Sequence, residues 1–315
     1  MKTVYVDGQH GTTGLEIINR LETRNDLELI RINHEKRRDA SERKKLLNEA
    51  DLVFLCLPDD AARNSVSLIK NPETKIIDAS TAHRTAEDWV YGLPEIFGQR
   101  EKIFKSGRIS NPGCYATGFI LMLRPLIEKK ALSPLYPVVT YSITGYSGGG
   151  KGMISEFENV GPKNLQEIIC RPKNLQMGHK HLPEMQKMAL IEKPPHFLPI
   201  VGKFYKGMLV FLPVFTENCP KGICGKRIHQ ILNDYYADEQ FVKVMDLNND
   251  EKLNDGFLSP LGCNYTNRVE LFVYENREQT LIAARLDNLG KGASGAAVQN
   301  MNILFGLKES LGLNL

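Results

Sequence analysis

The sequence predicts an α/β fold: a doubly wound parallel sheet at the amino-terminal end, then an α+β domain on a mixed or antiparallel sheet. Three observations carry this. Short apolar runs alternate with helix-length segments over residues 2–110; a glycine-rich turn, Gly8-Gln-His-Gly-Thr-Thr-Gly14, follows the first run; and from about residue 133 the runs lengthen while prolines multiply. Such alternation favours parallel strands joined by crossover helices.

The elements follow in order. Lys2-Thr-Val-Tyr-Val-Asp7 reads as a buried strand, and Thr12 to Leu21 as a helix with Leu15, Ile17, Ile18 and Leu21 on or near its inner face. Strand Leu27–Ile32, a polar helix around Ser41–Asn48, strand Asp51–Leu57, a helix around Asp60–Ile69 and strand Lys75–Ala79 repeat the unit. Ser106–Ser110 makes a further strand. It delivers Ser110-Asn-Pro-Gly-Cys-Tyr-Ala-Thr117 at its carboxyl end, ahead of an apolar helical stretch, Gly118–Arg124. The later β-rich runs are Pro137–Ile143, Gly207–Val214 and Arg268–Glu275, with proline-rich connections such as Lys193-Pro-Pro-His-Phe-Leu-Pro199. After Asp287-Asn-Leu-Gly-Lys-Gly-Ala-Ser-Gly295, a last helix, Ala296 to Leu307, returns to the first domain. The expected division is a first domain of residues 1–114 completed by 290–315, and a second of 115–289.

At 315 residues the chain fits two domains. Its 40 basic and 37 acidic side chains leave a net charge of only +3, which implies neither nucleic acid nor membrane as a partner. The N-terminus meets Asp7 before any signal-peptide apolar core forms, so a cytoplasmic protein is expected, with its six cysteines reduced. Cys56 reads as strand core. Cys219-Pro-Lys-Gly-Ile-Cys224 has the wrong spacing for a zinc knuckle and reads as a loop; no metal is expected.

In a Rossmann-type strand–turn–helix, Gly8, Gly11, Thr12, Thr13 and Gly14 would let backbone approach a pyrophosphate at the helix N-terminus. The segment after the second strand, Asn33-His-Glu-Lys-Arg-Arg38, carries Arg37 and Arg38 where an acid would grip the ribose of NAD. A guanidinium fork suits a 2′-phosphate, so these residues favour NADP (NADPH) as cofactor. The competing readings are a solvated helix face continuing through Arg43-Lys-Lys45, and Glu35 as a ribose ligand.

Cys114 is the candidate nucleophile. The Pro-Gly pair turns the chain sharply into a helix, and unpaired N–H groups with the helix dipole favour thiolate there. A thiolate beside a nicotinamide suggests a dehydrogenase working through a thioester, which needs a proton-transfer group. Gly178-His-Lys-His-Leu-Pro-Glu-Met185 supplies His179 and His181, which share a side if extended, and Glu184 to orient imidazole or substrate.

These motifs, with Asp78-Ala-Ser-Thr-Ala-His-Arg84, Tyr91-Gly-Leu-Pro-Glu95 and Gly145-Tyr-Ser-Gly-Gly-Gly-Lys151, come in the order seen in the N-acetyl-γ-glutamyl-phosphate reductase family. The chain resembles its shorter form over nearly its whole length. The resemblance implies NADPH-dependent reduction of N-acetylglutamyl phosphate to the semialdehyde in arginine biosynthesis. It implies Cys114 as nucleophile, His181 ahead of His179 as acid/base, Arg84 on the substrate's carboxylate or phosphate, and Ser80, Asn288 and Gly292 as cofactor contacts. Ser147–Gly150 would be a flexible loop near the site. Aspartate-semialdehyde dehydrogenase shares the architecture but usually carries Asn-Cys-Ser/Thr around its nucleophile, whereas this chain has Gly-Cys-Tyr. N-acetylaminoadipyl-phosphate reductase differs by one substrate methylene, worth only ~1–3 kcal/mol of discrimination. A non-enzymatic NADPH-binding regulator would not need Cys114, His181 and Arg84 together. The expected partners are a small acyl-phosphate substrate and further copies of this chain, as a dimer or tetramer.

Overall fold

The computed structural model describes every residue except 37, 38, 160 and 162–167. The chain divides into two compact units: Met1–Gly113 with Ala293–Asn314, and Cys114–Gly292 with Leu315.

The first unit is built on six parallel strands: β1 (Lys2–Asp7), β2 (Leu27–Ile30), β3 (Leu52–Leu55), β4 (Lys75–Asp78), β5 (Val90–Tyr91) and β6 (Arg108–Ser110). Their order is β2-β1-β3-β4-β6-β5. Val4, Val6, Leu52, Val53, Phe54 and Leu55 are buried, the continuous apolar pattern of strands covered on both faces. Each such side chain contributes roughly 1.5–3 kcal/mol of burial free energy. Helices α1 (Thr12–Leu21), α2 (Ala40–Glu49), α3 (Asp59–Leu68) and α4 (Gln99–Lys105) make the crossovers, and the returning helix Gly295–Leu304 joins this unit after a π-helical turn, Gly290–Ser294. α1 buries Ile17, Ile18 and Leu21 as expected, but Leu15 is 42% exposed. It lies two residues from Ile17, on the opposite side of a helix of 3.6 residues per turn. The strand order reverses between β1 and β3, which places a switch point beside the turn after β1.

In the second unit helix α5 (Cys114–Glu128) leads, beginning four residues earlier than the apolar stretch alone suggested. The remaining elements are β7 (Val139–Gly145), α6 (Gly150–Glu158), β8 (Cys170–Pro172), α7 (Leu182–Ala189), β9 (His196–Gly202), β10 (Met208–Phe215), α8 (Gly225–Tyr235), β11 (Val242–Val244), β12 (Val269–Glu275) and β13 (Gln279–Leu286). They form a seven-stranded mixed sheet, β11-β12-β13-β10-β7-β9-β8, in which β7 and β9 run parallel and β7, β10, β13 and β12 pair antiparallel.

Three local readings are corrected. His196–Pro199 is not connection but the first half of β9, where alternate residues Phe197, Pro199 and Val201 are buried against half-buried Leu198 and Ile200. A strand tolerates proline where its missing N–H is not needed by the ladder. Ser147–Gly150 is not an open loop but a 3₁₀ turn (Tyr146–Gly149) running into α6, with Ser147 buried. Backbone bonds from Tyr146 and Ser147 to the carbonyls of Phe204 and Tyr205 hold it. Cys56 lies just past β3 and is only partly buried.

Candidate active site

In the second unit the site grows from the first turn of α5. Cys114 is its first helical residue and partly exposed, so the thiol stands beside N–H groups with no intrahelical partner. Gly292 packs directly against it: a Cβ there would lie 2.7 Å from Cys114 Cβ. The next residue, Tyr115, is buried, and its ring gathers the others edge-on. His179 stands 5.4 Å away between centroids, His181 5.6 Å and Phe197 5.1 Å. Burial, then the charge of Cys114, pushes the Tyr115 phenol well above its usual range, so it stays protonated.

The two histidines are brought together by a turn, not by an extended strand. The Leu182 N–H bonds to the His179 carbonyl at 3.0 Å, and the rings sit 4.7 Å apart, nearly perpendicular. His179 Nδ1 accepts the backbone N–H of His181 at 3.1 Å, which puts the proton of neutral His179 on Nε2. His181 is the more buried of the two. Its Nε2 lies 3.9 Å from Oε1 of Glu184, in the first turn of α7 with its side chain 1% exposed. That separation is an ion-pair distance, longer than a hydrogen bond. Lys173, which sequence reasoning missed, is half-buried on the segment that carries the histidines. Burial lowers its ammonium's pKa, and the charge of Cys114 acts in the opposite direction. No local spacing signals it. Asn288 spends its amide inside this unit: Oδ1 accepts the Gly207 N–H at 2.8 Å, and Nδ2 donates to Ser147 Oγ at 3.0 Å.

In the first unit Arg84 is buried at the carboxyl ends of β4 and β6. Its Nε donates to the Asn111 carbonyl at 3.0 Å and Nη2 to that of Ala79 at 3.1 Å. Asp78 organises the approach, accepting the Ser80 N–H at 2.9 Å, the Ser80 hydroxyl at 2.8 Å and His83 Nδ1 at 2.6 Å. Ser80 thus points its hydroxyl at Asp78, and His83 stacks on Trp89.

The turn after β1 fits a dinucleotide. Gly8 has φ +93°, and a Cβ there would lie 2.2 Å from the Cys56 carbonyl oxygen; one on Gly14 would lie 2.4 Å from that of Gly8. The turn is a bare backbone cradle. Gly11 caps α1 without a side chain, Thr13 sits partly buried in its first turn, and Thr12 Oγ1 is buried with no hydrogen-bond partner among the described residues. A phosphate would satisfy it. Beside the turn lies a cavity of about 420 Å³ lined by Asp7, Gln9, Ile32, Arg43 and Cys56 among others. Arg37 and Arg38 lie outside the described residues. Glu35 is exposed on the 3₁₀ turn His34–Lys36. The competing reading of a solvated face does not extend to Arg43, whose side chain is 19% exposed and paired with buried Asp7.

Comparison with known proteins agrees with this architecture. Two family models match, "Semialdehyde dehydrogenase, NAD binding domain" over residues 3–106 and "Semialdehyde dehydrogenase, dimerisation domain" over residues 114–288. The chain is 48% identical to an N-acetyl-gamma-glutamyl-phosphate reductase of Trichormus variabilis, with 98% of each chain covered. It is 42% identical to the enzyme of that name from Burkholderia cenocepacia, again over 98% of each. Among solved structures, aspartate semialdehyde dehydrogenase II of Vibrio cholerae superposes with a TM-score of 0.74 at 16% identity, covering 97% of this chain and 98% of that one. At that identity the likeness shows the fold.

Proposed function

The chain belongs to the semialdehyde dehydrogenase family, among the N-acetyl-γ-glutamyl-phosphate reductases, and on that ground we propose how its residues carry the reaction. The enzyme reduces N-acetyl-γ-glutamyl phosphate to N-acetylglutamate semialdehyde and phosphate in arginine biosynthesis. Aspartate-semialdehyde dehydrogenase is the weaker reading, since that likeness is one of fold.

Cys114 Sγ attacks the γ-carbonyl carbon, the carbon–oxygen bond to phosphate breaks, and a thioester remains. A bound reduced nicotinamide supplies the hydride for the thioester carbon. His181, backed by Glu184, gives its proton to the resulting oxyanion and takes it back as the thiohemiacetal collapses, releasing aldehyde and thiolate. His179 holds the turn through its bond to the His181 N–H. Tyr115 is the platform on which both imidazoles rest, and Arg84 takes the substrate's carboxylate or phosphate as a charged donor. Gly8, Gly11, Thr12, Thr13 and Gly14 hold the cofactor's pyrophosphate, and Gly292 keeps room at the thiol. NADP is the proposed form of the cofactor, on the strength of Arg37 and Arg38. Further copies of the chain are its proposed partners, through the sheet face bearing half-buried Tyr141, Phe211 and Leu281.

The observation that carries the mechanism is the packing of both imidazoles on the ring that follows Cys114. Intact-mass measurement after mixing with acyl phosphate in the absence of NADPH tests it. The expected result is an acyl adduct on wild type and none on Cys114→Ser; a wild-type protein without adduct refutes the thioester.

A further inference from the structure

Among the described residues, the cavity at the switch point is lined by a cation held in place, Arg43. Arg43, on α2, reaches back over the end of β1. Its Nε donates to Asp7 Oδ1 at 3.2 Å, and its Nη2 donates to Asp7 Oδ2 at 2.7 Å and to Ser65 Oγ at 2.8 Å. Ser65 in turn donates to Asp7 Oδ2 at 2.8 Å. Asp7 is the acid nearest the glycine turn, yet it is 4% exposed and both its oxygens already accept. It is therefore poorly placed to take ribose hydroxyls, the role an acid plays in NAD enzymes. The Arg43 guanidinium remains available at the cavity. Among the described residues Nη1 has no partner, so its two N–H groups are left for a ligand. The hydrogen bonds to Asp7 outweigh burial and hold Arg43 in its charged form. The surroundings also suit a nucleoside. Ile32 and Ala61 give the cavity apolar walls, His10 lines it with His34 edge-on at 5.1 Å, and Gln9 Nε2 donates to the Ile32 carbonyl at 3.3 Å.

We propose that Arg43, preset by Asp7 and Ser65, is a specificity-determining residue that binds the monoester phosphate on the adenosine ribose of the cofactor. This rests on the reading of NADP as cofactor and goes beyond it. Arg43 has already given up its rotamer freedom to Asp7 and Ser65, so its phosphate bond carries less ordering cost.

Calorimetric titration with 2′,5′-ADP and with ADP, which differ by that phosphate, tests the inference without turnover. Wild type should bind 2′,5′-ADP the more tightly. In the double variant Asp7→Asn/Arg43→Gln, which leaves no buried charge unpaired, the 2′,5′-ADP to ADP preference should fall by about 10- to 100-fold, the range of a charged hydrogen bond lost. Arg43→Lys, which keeps the charge and loses the fork, should fall in between. A preference kept in both variants overturns the role of Arg43 and leaves NADP standing; a wild type without preference overturns the NADP reading itself.

Discussion

Gly292→Ala puts the geometry around the thiol under direct test. The added methyl would lie 2.7 Å from Cys114 Cβ and 3.2 Å from both Cys114 Cα and the Asp287 carbonyl oxygen. Carbon pairs settle at about 3.5–4.0 Å, so roughly 1 Å must be found. The Asp287 side cannot yield easily, because that oxygen already accepts the Gly292 N–H at 3.0 Å. Relief has to come from the first turn of α5, which is backbone and carries the nucleophile. Displacing a reacting atom by about 1 Å costs on the order of 10² in rate, and overpacking costs about 1–3 kcal/mol in stability. Phosphate-dependent NADP⁺ reduction with N-acetylglutamate semialdehyde reads the first effect, and urea unfolding the second. Gly152→Ala, where a Cβ meets nothing within 4 Å, is the control and should cost neither. If Gly292→Ala turns over and unfolds like wild type, the close packing of this glycine on Cys114 has no bearing on catalysis.

Three further outcomes are expected. His181→Asn should lower turnover by about 10²–10⁴ with cofactor binding intact, and His179→Asn should cost less; the reverse ranking would exchange their roles. Arg285→Met removes the donor of the 2.8 Å bond from Nε to buried Glu270 and should destabilise by about 3–5 kcal/mol in urea unfolding, a loss below about 1 kcal/mol showing that Arg268 suffices. Burial, then Glu270, pushes the Cys263 thiol up to about 11. The folded state therefore holds a proton that the unfolded chain releases once pH passes the ordinary thiol value, and stability should fall as pH rises from there to about 11. Urea midpoints of wild type and Cys263→Ala at pH 8 and 10.5 check this, and equal falls in both would refute it.

The parallel first sheet was legible because its strands are short, mostly apolar and separated by helix-length segments. Cys114 at a helix start and the His179/His181 pair were legible because both depend on local turns. What escaped were features made by tertiary contact. Gly148, Gly149 and Gly150 read as a loop, yet Phe204, Tyr205 and Asn288, distant in sequence, supply the carbonyls and amide that fix the segment. Nothing in the run Arg43-Lys-Lys45 sets Arg43 apart from its exposed neighbours, and only the fold brings it to Asp7. Pro199 argued against a strand that the alternation of Phe197 to Val201 nevertheless makes.

The parallel pairing of β7 with β9 has a consequence for how the enzyme matures. Antiparallel neighbours can zip from a hairpin, but Val139 meets His196 only after the intervening chain has travelled back along the sheet. That same return carries Lys173, His179 and His181, and ends in the strand whose Phe197 completes the ring cluster on Tyr115. Closing so long a loop comes late in folding. The contacts within the cysteine helix are local while those that seat His179 and His181 on Tyr115 wait on this return, so the helix is expected to form ahead of the ring cluster.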